Sequence, residues 1–386
     1  MNNSTRKLLL VAALAVISSV SLLQHMASAG NTVPPPPLPP VRFKLTVISG
    51  PSGWEVKDMN NYGEMVGFYS DAGGRRHAFL VEPGAAVQVV DLETLVTAPQ
   101  GWYVATAYGI NDQGTIVGAL GQVGTPFTDR RRGYVLHRPA FGPAALELLP
   151  DSGWSVTYGE AINDDGTVLG IFYDVQGYGA YIYDPLLYGP GAQVLPLVSE
   201  QWDLRLNNSM GARPAQVAGN LLSGPAFVYT LGASAPVTYP GLDPSAYLFG
   251  INDAGTFCGG VNYTQSKPQL TRSIAFRYGA TYQQFPATGG SASSINRAGD
   301  MAIRANPTQL YSEGYGVMNL DSLVVGNAAD LALWKNRYGS PLKFEITERG
   351  SLNPAMPGYP AMGGYFAYIG ANPAVNYAFV LTPVAP

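Results

Sequence analysis

One cysteine, Cys258, is all the chain contains, so no internal disulfide can staple the fold, and nothing around the N-terminal segment marks a lipid-attachment cysteine. Histidine is nearly as scarce. Past residue 29 only His77 and His137 remain, which excludes a multi-His metal site and leaves little for a Ser-His-Asp arrangement; both read as structural. Charged residues make up 12% of the chain, too few for long solvated helices. Lys and Arg together number 22 against 26 acids, so a nucleic-acid surface built on clustered cations is not expected. The longest apolar run, Leu8 to Leu23, falls short of the roughly 20 residues a membrane span needs, and no membrane span is expected in the mature chain.

That run instead follows Arg6 and Lys7 and precedes the small-residue stretch Ala27-Ser28-Ala29, the pattern of a secretory signal peptide over residues 1–29. Its removal takes two cations and moves the formal net charge from −4 to −6. Residues 30–41 carry Pro34-Pro35-Pro36-Pro37-Leu38-Pro39-Pro40, which reads as an extended polyproline spacer. Export without disulfides suits a secreted or periplasmic location.

What the chain has in quantity is glycine, 46 residues, and tyrosine, 24, the mix of strands joined by tight turns. The phrase GINDQGTIVG at 109–118 recurs as AINDDGTVLG at 161–170 and GINDAGTFCGG at 250–260. Weaker copies start at Asp58, Leu206, Ser294 and Glu345, which makes seven. Their turn glycines, Gly63, Gly114, Gly166, Gly211, Gly255, Gly299 and Gly350, are spaced 51, 52, 45, 44, 44 and 51 residues apart, a period that fits a blade of four short strands. In each copy an apolar strand enters Ile-Asn-Asp, Asn and Asp satisfy the turn locally, Gly supplies positive φ, and a hairpin strand departs. A small-aromatic-aliphatic strand such as Gly133-Tyr134-Val135-Leu136 and a fourth strand follow. The chain starts with what looks like a fourth strand, Phe43 to Ile48, and the last copy stops after its third. The expected fold is therefore an all-β, seven-bladed β-propeller over 42–386, closed by the N-terminal strand completing the last blade. A short helix is expected over Ala328 to Arg337.

The IND-x-G-x-V-V-G phrase with its small-aromatic strand resembles the HAF family of probable extracellular repeat proteins, across residues 42–386, with the His-Ala-Phe tripeptide itself at His77-Ala78-Phe79. The resemblance implies export and a repeat β fold; it carries no reaction, cofactor or catalytic residue. Many relatives end in a hydrophobic and basic sorting tail, which the ending Thr382 to Pro386 does not match, so retention by that route is not expected.

Asp112, Asp164, Asp165 and Asp253 put carboxylates on the turns, but calcium needs six to eight oxygens and each turn offers one or two acids; the turn reading is preferred, and no metal or cofactor is expected. If the strand entering each Ile-Asn-Asp turn lines the axis, the position before its apolar residue is Asp58, Gly109, Ala161, Arg205, Gly250, Ser294 and Glu345. Asp58, Arg205 and Glu345, with Glu160 beside them, are then the channel candidates for acid and base chemistry, against a reading in which they pair or stay solvated. Trp54, Trp102, Trp154 and Trp202 precede the inner strands of the first four copies and are the binding candidates, as a stacking platform, against packing between blades. The run Asp129-Arg130-Arg131-Arg132 reads as an exposed loop rather than an anion site, and Cys258 as a small core residue. The expected function is a binding or interaction module for a glycan or protein partner; the alternative is a polysaccharide hydrolase or lyase using axial carboxylates.

Overall fold

The repeat grammar of the sequence reappears as hydrogen-bonded sheets arranged as a β-propeller. A computed structural model describes residues 41–386 apart from 52, 84–87, 128–129, 140–141, 176, 197–203, 210–212, 221–225, 240–241, 243–244, 267–268, 287 and 369–374. The signal-peptide and spacer assignments to residues 1–40 therefore lie outside the described residues, as do Trp202, Gly211 and Asp129.

Each of the first six repeats runs as a four-strand meander in chain order. In the first, Glu55–Met59, Met65–Ser70, Arg76–Glu82 and Gln88–Asp91 pair antiparallel, inner strand to outer. Six sheets result, rather than seven separate ones. Five hold four or five strands, the size of a single blade, and the sixth holds eight, from Trp102–Ile110 through Gln193–Val194. The two halves of the large sheet meet through a parallel pairing of Val156 with Arg131, where Gly133 N also donates to Thr157 Oγ1 at 2.9 Å. In the sheet of the last repeat, Arg42–Ile48 pairs antiparallel along Val375–Val384, as the sequence suggested, and Val324–Val325 adds a short parallel strand outside it. The helix Ala328–Lys335 lies where it was expected, with Asn327 Oδ1 accepting from Asp330 N at 2.9 Å; Asp330 Oδ2 in turn accepts from Val47 N at 3.2 Å. No helix among the described residues is long and apolar enough to cross a membrane.

The core lies between neighbouring sheets. Leu169, Ile171 and Ile182 of the third repeat are buried against Leu204, Val217 and Phe227 of the fourth. Trp54 and Phe79 of the first repeat join Ala378 and Val380 of the last. One repeat alone cannot cover its apolar face, so stability comes from stacking on the next.

The Ile-Asn-Asp turns add a second seam. Gly63, Gly114, Gly166, Gly255, Gly299 and Gly350 all sit at φ between 74° and 85°, the left-handed region the turn needs. The asparagine is only half local. Asn163 Oδ1 accepts from Thr167 N at 2.9 Å within its own turn, while its Nδ2 donates to Asn207 O of the next repeat at 3.0 Å. The same forward bond runs from Asn60 to Asn111, Asn111 to Asn163, Asn207 to Asn252, Asn252 to Asn296 and Asn296 to Thr347, at 2.8 to 3.1 Å. These asparagines are buried, where an unpaired amide would be costly, so each repeat needs its neighbour to satisfy its own turn.

The following acidic or amide residue adds a backward link. Asp112, Asp164 and Asp253 accept from the backbone N–H of Asn61, Asp112 and Asn208. Asp165 accepts from Ser209 N at 2.8 Å. The turn carboxylates thus face amides across the seams rather than a common centre. Between the last repeat and the first, Glu348 N donates to Asn61 Oδ1 at 2.7 Å.

Candidate functional site at the propeller axis

Inner strands of several repeats converge on a cavity of about 390 Å³. A smaller one of about 230 Å³ adjoins it and shares Lys57, Arg205 and Lys343 with it. What aims side chains there is a β-bulge. In the first repeat Val56 pairs with Gly67 and Asp58 with Val66, which leaves Lys57 unpaired between them. The same shift leaves Tyr108, Glu160, Phe249 and Ser293 unpaired in the second, third, fifth and sixth repeats. A bulge re-aims one side chain and reverses the alternation beyond it. All five unpaired residues line the two axial cavities.

In these five repeats the residue aimed at the cavities is one earlier than the sequence reading gave, which corrects it there; in the fourth and seventh repeats Arg205 and Glu345 do line the cavities. Gly109 and Gly250 instead face the next inner strand; a Cβ at either would stand 3.1 or 3.0 Å from the Cα of Ala161 or Ser294. The last glycine of the repeat phrase belongs to the same device. At Gly118 a Cβ would fall 2.0 Å from Thr106 O, at Gly67 1.9 Å from Glu55 O and at Gly259 1.8 Å from Tyr247 O, because the bulged strand pushes a carbonyl into that space.

The four channel candidates separate accordingly. Glu160 and Arg205 line the larger cavity, and Arg205 Nε donates to Phe249 O at 3.0 Å. Glu345 lines the smaller cavity, with Lys343 Nζ 2.6 Å from its carboxylate. Asp58 lines neither: its oxygens accept from Met59 N at 2.9 Å and Ile110 N at 3.0 Å, so it ties the first repeat to the second. Burial, and then the charge of Glu345, raise its pKa to about 6, opposed by Lys343, the Ile110 amide and Arg205. Backbone amides hold the Asp58 carboxylate and a lysine that of Glu345, an arrangement in line with the reading in which the channel candidates pair rather than act as acid and base.

Trp54, Trp102 and Trp154, the described members of the tryptophan set, do not form one platform. Trp54 is fully buried, its Nε1 donating to Asn376 O at 2.9 Å and its ring 5.0 Å from that of Phe79. Trp154 is half-buried and stacks on Phe172 at 4.0 Å, and Trp102 is half-buried beside the Arg132 guanidinium at 5.9 Å. Cys258 is buried, and burial pushes its thiol up, as befits a core residue. His77 stacks on Tyr69 and lies 3.3 Å from Asp91; His137 lies 3.2 Å from Glu147. His77, Asp91 and Glu93 bring ligand atoms within 4.8 Å of one another, but Glu93 already holds the Arg75 guanidinium by both oxygens, at 2.7 and 2.9 Å.

Sequence reasoning missed the aromatic wall and two arginines. Phe68, Tyr108, Phe127 and Tyr158 line the larger cavity, with Tyr108 and Tyr158 ring centroids 5.4 Å apart. Arg131, taken from the run at 129–132 as part of an exposed loop, opens the strand Arg131–His137 and lines the cavity with Arg76; Arg130 is exposed. The one available signal was that a cation two residues before the Gly-Tyr pair of a third strand lies at the end of the sheet remote from the turn.

Neither protein-family models nor curated proteins match the sequence. Among solved structures, the β-propeller domain of the Trilobed protease from Pyrococcus furiosus is similar over 86% of this chain and 94% of its own, at 9% identity and a TM-score of 0.48. The polysaccharide lyase Uly1 is similar over 86% and 90% of the two chains, at 10% identity and 0.48. The SapL1 lectin, solved in complex with alpha methyl fucoside, is similar over 88% and 98%, at 11% identity and 0.37. These are likenesses of architecture, and what any of the three binds says nothing by itself about this chain.

Proposed function

We propose that this chain is an exported, HAF-type repeat protein acting as a binding module, and that it takes a glycan in the axial cavity. The observation that carries the reading is the composition of that cavity: four aromatic rings and a set of charged side chains converge from separate repeats on about 390 Å³, room for one or two sugar rings. Aromatic faces with nearby polar groups are what sugar recognition uses.

The eight-stranded sheet counts in this reading as two blades joined edge to edge, which makes seven. The antiparallel pairing of Arg42–Ile48 with Val375–Val384 and the Glu348 to Asn61 bond support a ring closed by the N-terminal strand. An export role is supported by residues 1–29 in the sequence. The alternative, a hydrolase or lyase, retains Glu160 as an acid in the larger cavity with Tyr158 two residues before it, whose hydroxyl is pushed up first by burial and then by Glu160.

The test is titration of the full chain with an oligosaccharide panel by calorimetry, wild type against Tyr108→Ala. Binding that falls at least about tenfold in the variant, with unchanged melting temperature, supports the reading. Binding indifferent to Tyr108→Ala sinks the axial site, and product formation from any member of the panel moves the assignment to the enzyme alternative.

A further inference from the structure

Two guanidinium groups on the wall of the larger cavity set its ligand class. Arg76 lies 4.5 Å from the Phe68 ring centroid and 4.6 Å from that of Phe127; Arg131 lies 4.7 Å from Phe127 and 5.5 Å from Tyr158. Both arginines therefore share one ring and are steadied by a second. Arg131 is held further, its Nε donating to Phe127 O at 3.1 Å.

Their charges stand apart from the others there. Lys57 pairs with Glu55 at 2.8 Å and Lys343 with Glu345 at 2.6 Å, whereas among the described residues neither Arg76 nor Arg131 has a carboxylate within ion-pairing distance. Rings can orient a guanidinium but cannot neutralise it, and a half-buried cation gains most from an anion that its planar fork matches. Both side chains are half-buried, so burial of a ligand here would remove water from two cations at once.

We infer that the axial cavity is selective for acidic saccharides: the carboxylate or sulfate of one sugar unit sits against Arg76 and Arg131, while the sugar ring stacks on the strip of Tyr108 and Tyr158. The inference rests on the proposed glycan site, and the two can fail separately. Two guanidinium groups with no carboxylate at ion-pairing distance among the described residues sit beside rings whose faces suit a pyranose, and an acidic sugar supplies both complements in one molecule.

The experiment measures dissociation constants of the full chain for an oligogalacturonate, a sulfated neutral oligosaccharide and an uncharged cello-oligosaccharide, at about 50 and 200 mM salt. The wild type is expected to hold at least one acidic probe about tenfold or more tightly than the uncharged one, with affinity falling as salt rises. Arg76→Gln with Arg131→Gln abolishes that preference and leaves the uncharged probe unchanged. Arg76→Lys with Arg131→Lys, which keeps charge but loses the fork, falls in between and serves if the glutamine pair does not fold. Which acid group is used follows from whether the galacturonate or the sulfated probe responds. Equal affinity for acidic and uncharged probes, or acidic binding indifferent to both arginines, overturns the inference and leaves the glycan site standing. Failure of all three probes to bind removes the site and the inference together.

Discussion

The two ends of the inner strands behave differently although they lie only a few residues apart. At the turn end, one bond repeats from unit to unit, an asparagine side chain reaching the main chain of the next repeat. At the cavity end, the bulge repeats but the residue it presents does not: Lys57, Tyr108, Glu160, Phe249 and Ser293 have no chemistry in common. Where a side chain binds backbone, the first six repeats keep both the asparagine and its main-chain partner in the next. Where a side chain faces solvent or a ligand, the backbone device is kept and the side chain varies. Stability and recognition are thereby assigned to opposite ends of one strand.

The contrast can be broken from the turn end first. Asn163→Ala removes an acceptor for Thr167 N and a donor to Asn207 O, both buried, and should cost about 3 kcal/mol of unfolding free energy. Affinity for a cavity ligand should stay within about twofold; a shift of the denaturation midpoint without a change in binding is the expected result, and loss of both together would show that the two ends are not separable. Gly118→Ala attacks the device joining them. With Thr106 O in the way of the new Cβ, the bulge has to shift, at about 2 kcal/mol, and Tyr108 loses its aim, so here stability and binding should fall together.

The smallest effect sharpens the comparison through pH. Burial raises the folded pKa of Asp58 to about 6 from an ordinary 3.8, so the folded chain holds that proton more tightly than the unfolded chain. Its contribution to stability is present below about pH 4 and is lost as pH rises to about 6. Asparagine does not titrate. The deficit of Asp58→Asn relative to wild type should therefore be greatest near pH 4 and shrink as pH rises through about 6. Denaturant melts of both proteins at the two pH values measure it; a deficit that grows with pH would mean that Asp58 is ionised throughout.

Much of the fold was legible because its signals are local. Glycines at positive φ, alternating strands and the 44- to 52-residue period need only a short window, and they placed the turns, the inner strands and the pairing of Phe43 to Ile48 with the end of the chain. The cavity was less legible for a stated reason. Alternation counts residues evenly, and one extra residue in an inner strand moves that strand's axial assignment by one, which is why Asp58 was expected at the channel and Lys57 was not. The asparagine bonds escaped for a different reason: Asn111 and the carbonyl it reaches are 52 residues apart, a whole repeat, so nothing beside the turn announces the partner.

The pairing of Arg42–Ile48 with Val375–Val384 also has an order in time. The ribosome makes the first strand of the fold more than three hundred residues before its partner, so through nearly all of synthesis that strand waits without it. The intermediate repeats can stack as they emerge, each on the one before. Completion of the last sheet cannot begin until the final strand arrives, and a chain cut short by even that one strand would leave its first strand without the partner it has along its whole length.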